Sequence, residues 1–375
     1  MAPGREQQAP SGSVAIVHDY LNQRGGAERV VLEMARIFPG APVFTSLYRP
    51  ESTFPEFQDL DVRTSPLDRV PVDARFRTLA PLYPAAFRSL SPLDHDVVIS
   101  STSGWAHGIR TADASAHLVY CYTPARWLYE TEAYIRSPGK RALSGPLRSA
   151  LRRWDRRAAA RADLYVGISE HVARRIRVAY GIDAKVVYPP VGTHALRPSP
   201  RGERLLVISR LLPYKRIDLI VDAATEAGRG LDVVGTGPGL EDLRRRAGPT
   251  VEFHDQVDDA DLRSLLEGCN ALCFPGSEDF GIVPAEANAA GKPVIAFASG
   301  GALETQVEGV TAAYFREPAV PAFLEALRRA DAIDTPPEEI ARHADRFSAE
   351  AFERGLLAAV AESRERAADR LRGGR

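Results

Sequence analysis

Short apolar runs alternate with amphipathic runs twice along this chain, and the prolines Pro189 and Pro190 separate the two series. The first series holds "SVAIVHDY", "APVFTSLY", "HDVVISSTSG", "HLVYCYT", "LYVGIS" and "AKVVYPPV". Between the first two of these, Val30, Val31, Met34 and Ile37 recur at helical spacing. The second series runs from "RLLVISRL" and "RIDLIVDAATEAG" through "GLDVVGTGPGL", "EDLRRRAG", "TVEFHDQV", "DDADLRSLLEGC" and "ALCFPG" to "SEDFGIVPAEANAAGKPVIAFASGG". Strands separated by helices are joined by crossovers, so each series predicts a doubly wound parallel sheet. The 375 residues also exceed the roughly 250–300 that one core ordinarily serves. The expected division is a disordered tail over 1–12, one Rossmann-like domain over 13–190 and another over 200–345. The amphipathic run over 346–375 is expected to fold as a helix that packs back on the first domain. Such sheets bind ligands beyond the carboxyl ends of their strands, and two facing domains predict a central cleft.

Composition removes several classes of function. The 48 basic and 49 acidic side chains leave a net charge of −1, so no global field calls for nucleic acid. Cys121, Cys269 and Cys273 are too few and too scattered for a disulfide framework. Cys269 and Cys273 stand four apart with no second ligand pair, which favours buried thiols in a reducing cytoplasm over zinc. No run of 18 apolar residues predicts a membrane span. The opening "MAPGREQQAPSGS" lacks the apolar centre of a signal peptide.

Four constellations sit at expected strand ends. In "SEDFGIVPAEA", Gly281 precedes a helix with Pro284 in its first turn, where a missing N–H costs nothing. Free amides near Gly281, Ile282 and Val283 would form an anion site, with Glu286 on the first turn and Glu278 on the loop in front. Carboxylates beside such a site suit a ligand with an anionic part and a hydroxyl-rich part. The alternative is that Asp279 and Glu286 complement the helix dipole. In "SRLLPYKRID", Arg210 and Lys215 suit a diphosphate; the alternative is a solvated basic turn. In "GTGPG", Gly235 and Gly237 resemble part of a dinucleotide fingerprint, without the acid about 20 residues on that a nicotinamide dehydrogenase would carry. In "RGGAER", Gly25 and Gly26 predict either a tight turn or a close approach of backbone to ligand.

Together these residues identify a resemblance. Gly25-Gly26, "SRLLPYKRIDLIV", "GTGPG" and the Glu278/Glu286 pair within "EDFGIVPAEA" are similar to the family 4 retaining glycosyltransferases of the GT-B fold, over nearly the whole chain. The wording "GGAERVV" and "GGALET" looks most like a bacterial mannosyltransferase-like branch that builds surface polysaccharides and lipid-linked glycans. The resemblance implies that Arg210 and Lys215 hold the donor diphosphate, Glu278 the donor sugar and Glu286 the ribose. Backbone at Phe280, Gly281, Ile282 and Val283, and the glycines 25, 26, 235 and 237, would line the donor. It implies no metal and no cofactor beyond a nucleotide sugar, with GDP-mannose favoured and UDP-sugars open. It also implies a glycan or lipid-linked acceptor. Tyr122 stands where the family often has a histidine that holds the donor sugar. His18, Asp19 and His107 are candidates on the acceptor or sugar side; a loop cap for Asp19 and a surface position for His107 are the alternatives. A nucleotide-sugar epimerase of the same fold, or a non-catalytic sugar-nucleotide-binding subunit, are the competing functions.

From Arg136 to Arg161 there are nine cations and one acid, Asp155, with Leu147, Leu151, Trp154 and Ala158 at helical spacing. The pattern fits peripheral contact with anionic lipid at the inner face of the cell membrane, or a solvated helix packed on its own domain.

Overall fold

Among the described residues, thirteen strands form two parallel sheets. A computed structural model of the chain describes residues 12–70, 76–129, 145–192, 195–255 and 257–373. The chain divides into two units: residues through Tyr188 with those from Phe352 onward, and Pro189–Ala351 between them.

In the first unit the strands are β1 (Val14–His18), β2 (Val43–Thr45), β3 (Val62–Thr64), β4 (Val97–Thr102), β5 (Ala116–Cys121), β6 (Leu164–Gly167) and β7 (Lys185–Val186). Their order is β3-β2-β1-β4-β5-β6-β7, with every neighbouring pair parallel. The second unit has β8 (Leu205–Ile208), β9 (Leu231–Val234), β10 (Val251–His254), β11 (Ala271–Phe274), β12 (Val294–Phe297) and β13 (Ala312–Phe315). Its order is β10-β9-β8-β11-β12-β13, again all parallel. In both sheets the order reverses beside the first strand, at β1/β4 and at β8/β11. Those crevices are where open α/β sheets take ligands.

Burial on both faces explains the near-continuous apolar strands. Leu205 and Val207 point into one core with Val233, Ile295 and Phe323, while Leu206, Leu272 and Val294 point into the other. The alternation is the two-residue period of a strand.

The last helix, Ala349–Gly373, buries Phe352, Leu356, Ala359, Val360, Ser363 and Ala367 along one stripe. Phe352 meets the Tyr120 ring edge-on at 5.7 Å. Gly355 lies so close to Val187 that an added Cβ would stand 2.8 Å from its Cγ1. Arg370 pairs with Asp163 at 2.9 Å.

The helix Gly145–Ala159 packs on the first unit through Leu151, Asp155, Ala158 and Ala159, while Leu147 faces out. Residues 136–144 of the basic segment, and 1–11 of the expected tail, lie outside the described residues. No helix among the described residues is long and apolar enough to cross a membrane. All three cysteines are buried, and burial pushes the Cys269 thiol up to about 12.

Candidate functional site

The second unit gathers its candidates at the β8/β11 crevice. Arg210 leaves β8 two residues past its end, exposed and with no acid partner among the described residues. The chain then makes a short turn over Pro213–Lys215 and enters the helix Ile217–Ala227 through Arg216, whose φ of 56° is left-handed. That turn carries Lys215 back over the sheet. Its Nζ donates to Glu278 Oε1, which comes from the loop after β11. Both side chains are partly buried, so the pair is neither a screened surface contact nor a sealed one.

The loop that holds Glu278 is fixed from below. Gly301 N–H donates to the Glu278 carbonyl at 2.8 Å. A Cβ on Gly300 would stand 2.2 Å from that carbonyl oxygen, and one on Gly301 2.4 Å from the Phe280 Cα. The glycine pair that closes the motif therefore exists to let two backbones touch. Phe280 is buried and packs edge-on against Phe347 at 5.3 Å.

Gly281 caps the helix Ile282–Ala289 with φ 90°, a conformation that suits glycine. The amides that open this helix have no carbonyl partner inside it, the usual basis for anion binding. Glu286 is its fifth residue, one turn further in than the first-turn position expected from the sequence. It is half-buried.

Gly235 and Gly237 do something other than a dinucleotide fingerprint requires. Their φ values are 133° and 159°, and Cβ atoms there would stand 2.0 Å from the Ser209 carbonyl oxygen and 2.6 Å from that of Leu211. "GTGPG" is bound to the Arg210 loop itself, with Leu211 N–H donating to Thr236 O at 3.0 Å and Gly239 N–H to Leu211 O at 3.0 Å.

The first unit gathers a buried polar cluster at the β1/β4 crevice. The β1/β4 register sets His18 beside Ser101. His18 Nδ1 lies 3.1 Å from the Ser101 carbonyl and 3.0 Å from its Oγ. Tyr122 bonds the same Oγ at 2.8 Å and donates to the Ala27 carbonyl at 3.0 Å. Burial, followed at a distance by the charges of Glu28 and Asp19, holds the Tyr122 phenol well above its usual range. It is a neutral hydrogen-bonding group.

Asp19 caps a loop. It is 1% exposed and accepts from Thr102 Oγ1, from Ser103 N–H and Oγ, and from the Trp105 and Ala106 amides. That accounts for its charge without a ligand. His107 is not at the surface. It is 1% exposed, with Nε2 3.0 Å from the buried Asp155 and its ring stacked on Trp154. Its partner arrives from the basic helix, which the sequence gives no means of seeing.

Gly25 and Gly26 form no left-handed turn. Gly25 is extended as the cap of the helix Gly26–Ile37, and Gly26 is its first residue. A Cβ on Gly25 would stand 2.6 Å from Glu28 Oε2. Glu28 is the residue that sequence reasoning missed. An acid in the first turn reads as a dipole partner, yet this one is 1% exposed and 3.8 Å from His18 Nε2. Its Oε1 accepts from Gln23 at 3.0 Å, while its Oε2 is buried without a hydrogen bond.

Asp232, Glu252 and His254 bring three potential metal ligands within 4.8 Å of one another. Arg204 already lies 2.8 Å from Asp232 and 3.2 Å from Glu252, where a cation would sit.

Two doubly wound parallel sheets, each with polar residues at its switch point, define a GT-B type of protein, and the comparisons agree. The model described as "Glycosyltransferase Family 4" matches residues 24–195, and that described as "Glycosyl transferases group 1" matches 196–351. The chain belongs to the family 4 glycosyltransferases.

Among curated relatives, a glycogen synthase of Pseudomonas paraeruginosa is 37% identical over 139 residues, 35% of this chain and 27% of that protein. A GDP-mannose-dependent alpha-(1-6)-phosphatidylinositol monomannoside mannosyltransferase of Mycolicibacterium smegmatis is 31% identical over 189 residues, 42% of this chain and 50% of that one. The matched stretches thus span half or less of these relatives. Among solved structures, Anabaena Alr3699/HepE in complex with UDP and glucose superposes with a TM-score of 0.68 at 18% identity, covering 93% of this chain and 99% of that chain. Sucrose-phosphate synthase of Thermosynechococcus elongatus gives 0.69 at 18%, covering 92% and 100%. At such identity the likeness concerns the fold.

Proposed function

We propose that this chain transfers a hexosyl group from a nucleotide-sugar donor to a glycan or lipid-linked glycan acceptor, with retention of configuration and without a metal. The observation that carries the reading is the Lys215–Glu278 pair beside an unpartnered Arg210, at the switch point of the second sheet. One cation pair and one carboxylate at a single spot suit a ligand that is a diphosphate at one end and a polyol at the other.

In this reading Arg210, Lys215 and the opening amides of Ile282–Ala289 face the diphosphate. Charge grows on its bridging oxygen as the sugar leaves, and fixed positive groups stabilise that charge most where water is scarce. Glu278 accepts from donor-sugar hydroxyls, and Glu286 from the ribose. The acceptor hydroxyl attacks the anomeric carbon on the face from which the nucleoside diphosphate departs, and its proton passes to the departing phosphate. GDP-mannose is the favoured donor because several relatives are named as GDP-mannose-dependent mannosyltransferases. UDP-glucose is the other candidate, since HepE was solved with it. A lipid-linked acceptor at the inner face of the cell membrane accords with relatives named for phosphatidylinositol mannosides.

Transfer is tested by incubating the chain with each donor and a lipid-linked glycan fraction in chelator. The expected result is release of nucleoside diphosphate with an axial or equatorial linkage that matches the donor anomer by proton NMR. Turnover of the donor with no acceptor consumed would point to epimerisation instead.

A further inference from the structure

Five arginines, Arg88, Arg110, Arg153, Arg157 and Arg161, line one cavity of about 640 Å³ in the first unit. All five are exposed, and among the described residues no carboxylate lines the cavity. None of the five has an acid partner among the described residues. Composition does not force this, because acids outnumber bases by one along the chain. Some other arginines do find carboxylates: Arg36, Arg204, Arg244, Arg246 and Arg370 each hold one at 2.7–2.9 Å.

The arrangement is rigid and unfavourable on its own. Arg153 and Arg157 stand four apart on the helix Gly145–Ala159, and Arg161 follows four further on. Like charges at that spacing repel. The opposite face of the helix is locked. Leu151 and Ala158 are buried, and Asp155 accepts from Tyr129 at 2.7 Å. Trp154 lies against Gly108 so closely that a Cβ there would be 2.4 Å from the indole Cζ2. Arg161 donates to the Gly108 carbonyl at 3.2 Å. Partial burial of the guanidinium, and then the neighbouring charge of Arg110, hold Arg161 below its ordinary range.

A guanidinium is a rigid fork that matches the oxygens of a phosphate, and five of them call for more than one phosphate. The cavity has the size of a small-ligand site, and Trp154 and Pro84 give it an apolar wall. We infer that this basin binds a ligand carrying closely spaced phosphate groups, supplied either as a soluble diphosphate or as the headgroup of a phosphorylated lipid. It is a different site from the candidate donor crevice of the second unit, and it stands whether or not the transfer reading is right.

The test compares the full chain with its Arg153→Gln/Arg157→Gln variant, both exposed changes, after a melting curve shows that the fold is kept. Inorganic pyrophosphate is titrated in an Arg210→Ala/Lys215→Ala background, which weakens any contribution of the donor crevice equally in both proteins. Co-sedimentation is measured with phosphatidylcholine vesicles that carry either phosphatidylinositol bisphosphate or, at matched charge, phosphatidylglycerol. A tenfold or greater weakening of pyrophosphate binding in the double variant supports the site and a soluble source. Loss of binding to the phosphatidylinositol bisphosphate vesicles, with phosphatidylglycerol binding unchanged and pyrophosphate unbound throughout, supports it with lipid as the source. If neither probe binds, or both bind equally to chain and variant, the inference is overturned.

Discussion

Lys215 and Glu278 meet because two loops, 63 positions apart in sequence, leave the adjacent strands β8 and β11 at the same end of the sheet. If that pair serves the donor, each half carries charge that matters more as the bond breaks than before. Lys215→Ala and Glu278→Ala are each expected to lower kcat by about 100-fold or more, the scale of losing one preorganised charge contact. The variants should melt near the parent temperature, since both side chains are partly exposed. Steady-state rates with an authentic acceptor are the check. Arg216 is a second residue with a specific expectation. It is the one non-glycine residue with positive φ among those described, and its pair with Asp218 at 3.3 Å is partly exposed. Arg216→Gly should therefore keep or raise stability, by up to about 1 kcal/mol, because a left-handed side chain costs roughly 1–2 kcal/mol and an exposed pair is worth less than about 1. Chemical denaturation measures this. At this scale the sequence was partly legible. The charged residues at the mouths of strands announce themselves by type, but Glu28 and His107 do not. Their burial depends on partners, His18 and Asp155, that only the folded sheet brings near.

The elements show why glycine spacing mattered more than glycine count. Gly300 and Gly301 press on the Glu278–Phe280 loop, and Gly235 and Gly237 press on the Ser209–Leu211 loop. Each candidate donor loop is thus held by a second loop that permits no side chain. Gly301→Ala is expected to destabilise the second unit by about 1–3 kcal/mol, the usual cost of forcing extra atoms into packed structure, and to weaken donor binding with it. Thermal melts with and without donor separate the two effects. The strands themselves followed from their apolar runs, with two exceptions. Val62–Thr64 is a three-residue edge strand that is not fully buried, so it lacks the apolar run that marks a strand. Ala312–Phe315 begins with two alanines, and it is fully buried because its two faces pack into the two cores of the second unit. The basic helix was legible as amphipathic, though which side faced the protein was not. Leu147 belongs to the repeating stripe and still points outward.

On the scale of the whole molecule, the alternation of strands and helices was enough to give two parallel sheets, because crossovers leave few other solutions. Strand order was not legible, since nothing local says on which side of β1 the chain lays β4. The consequence for stability lies in the middle of the first sheet. His117 on β5 is buried, with Nε2 2.8 Å from Ser100 Oγ. Burial, with help from the charges of His107, Arg161 and Arg370, pushes it down to about 3. The folded state therefore refuses a proton that the unfolded chain accepts below about pH 6.5. Stability from this group is complete above that pH and is lost as pH falls toward 3. The loss approaches about 1.4 kcal/mol per pH unit within that window. Between pH 6.5 and 4.5, denaturation of the first unit should depend less on pH in a His117→Gln variant than in the parent. Equal slopes would show that other groups dominate.

The central claim is that the crevice around Lys215 and Glu278 holds a nucleotide sugar. It is tested most directly by the thermal stability of the purified chain against GDP-, UDP-, ADP- and dTDP-sugars and nicotinamide nucleotides, with Lys215→Ala in parallel. A ligand at about 100 times its dissociation constant adds roughly 2.7 kcal/mol. A shift of a few degrees with one sugar nucleotide, lost in the variant, is the expected result. A shift with nicotinamide nucleotides alone, or one that survives Lys215→Ala unchanged, would contradict it.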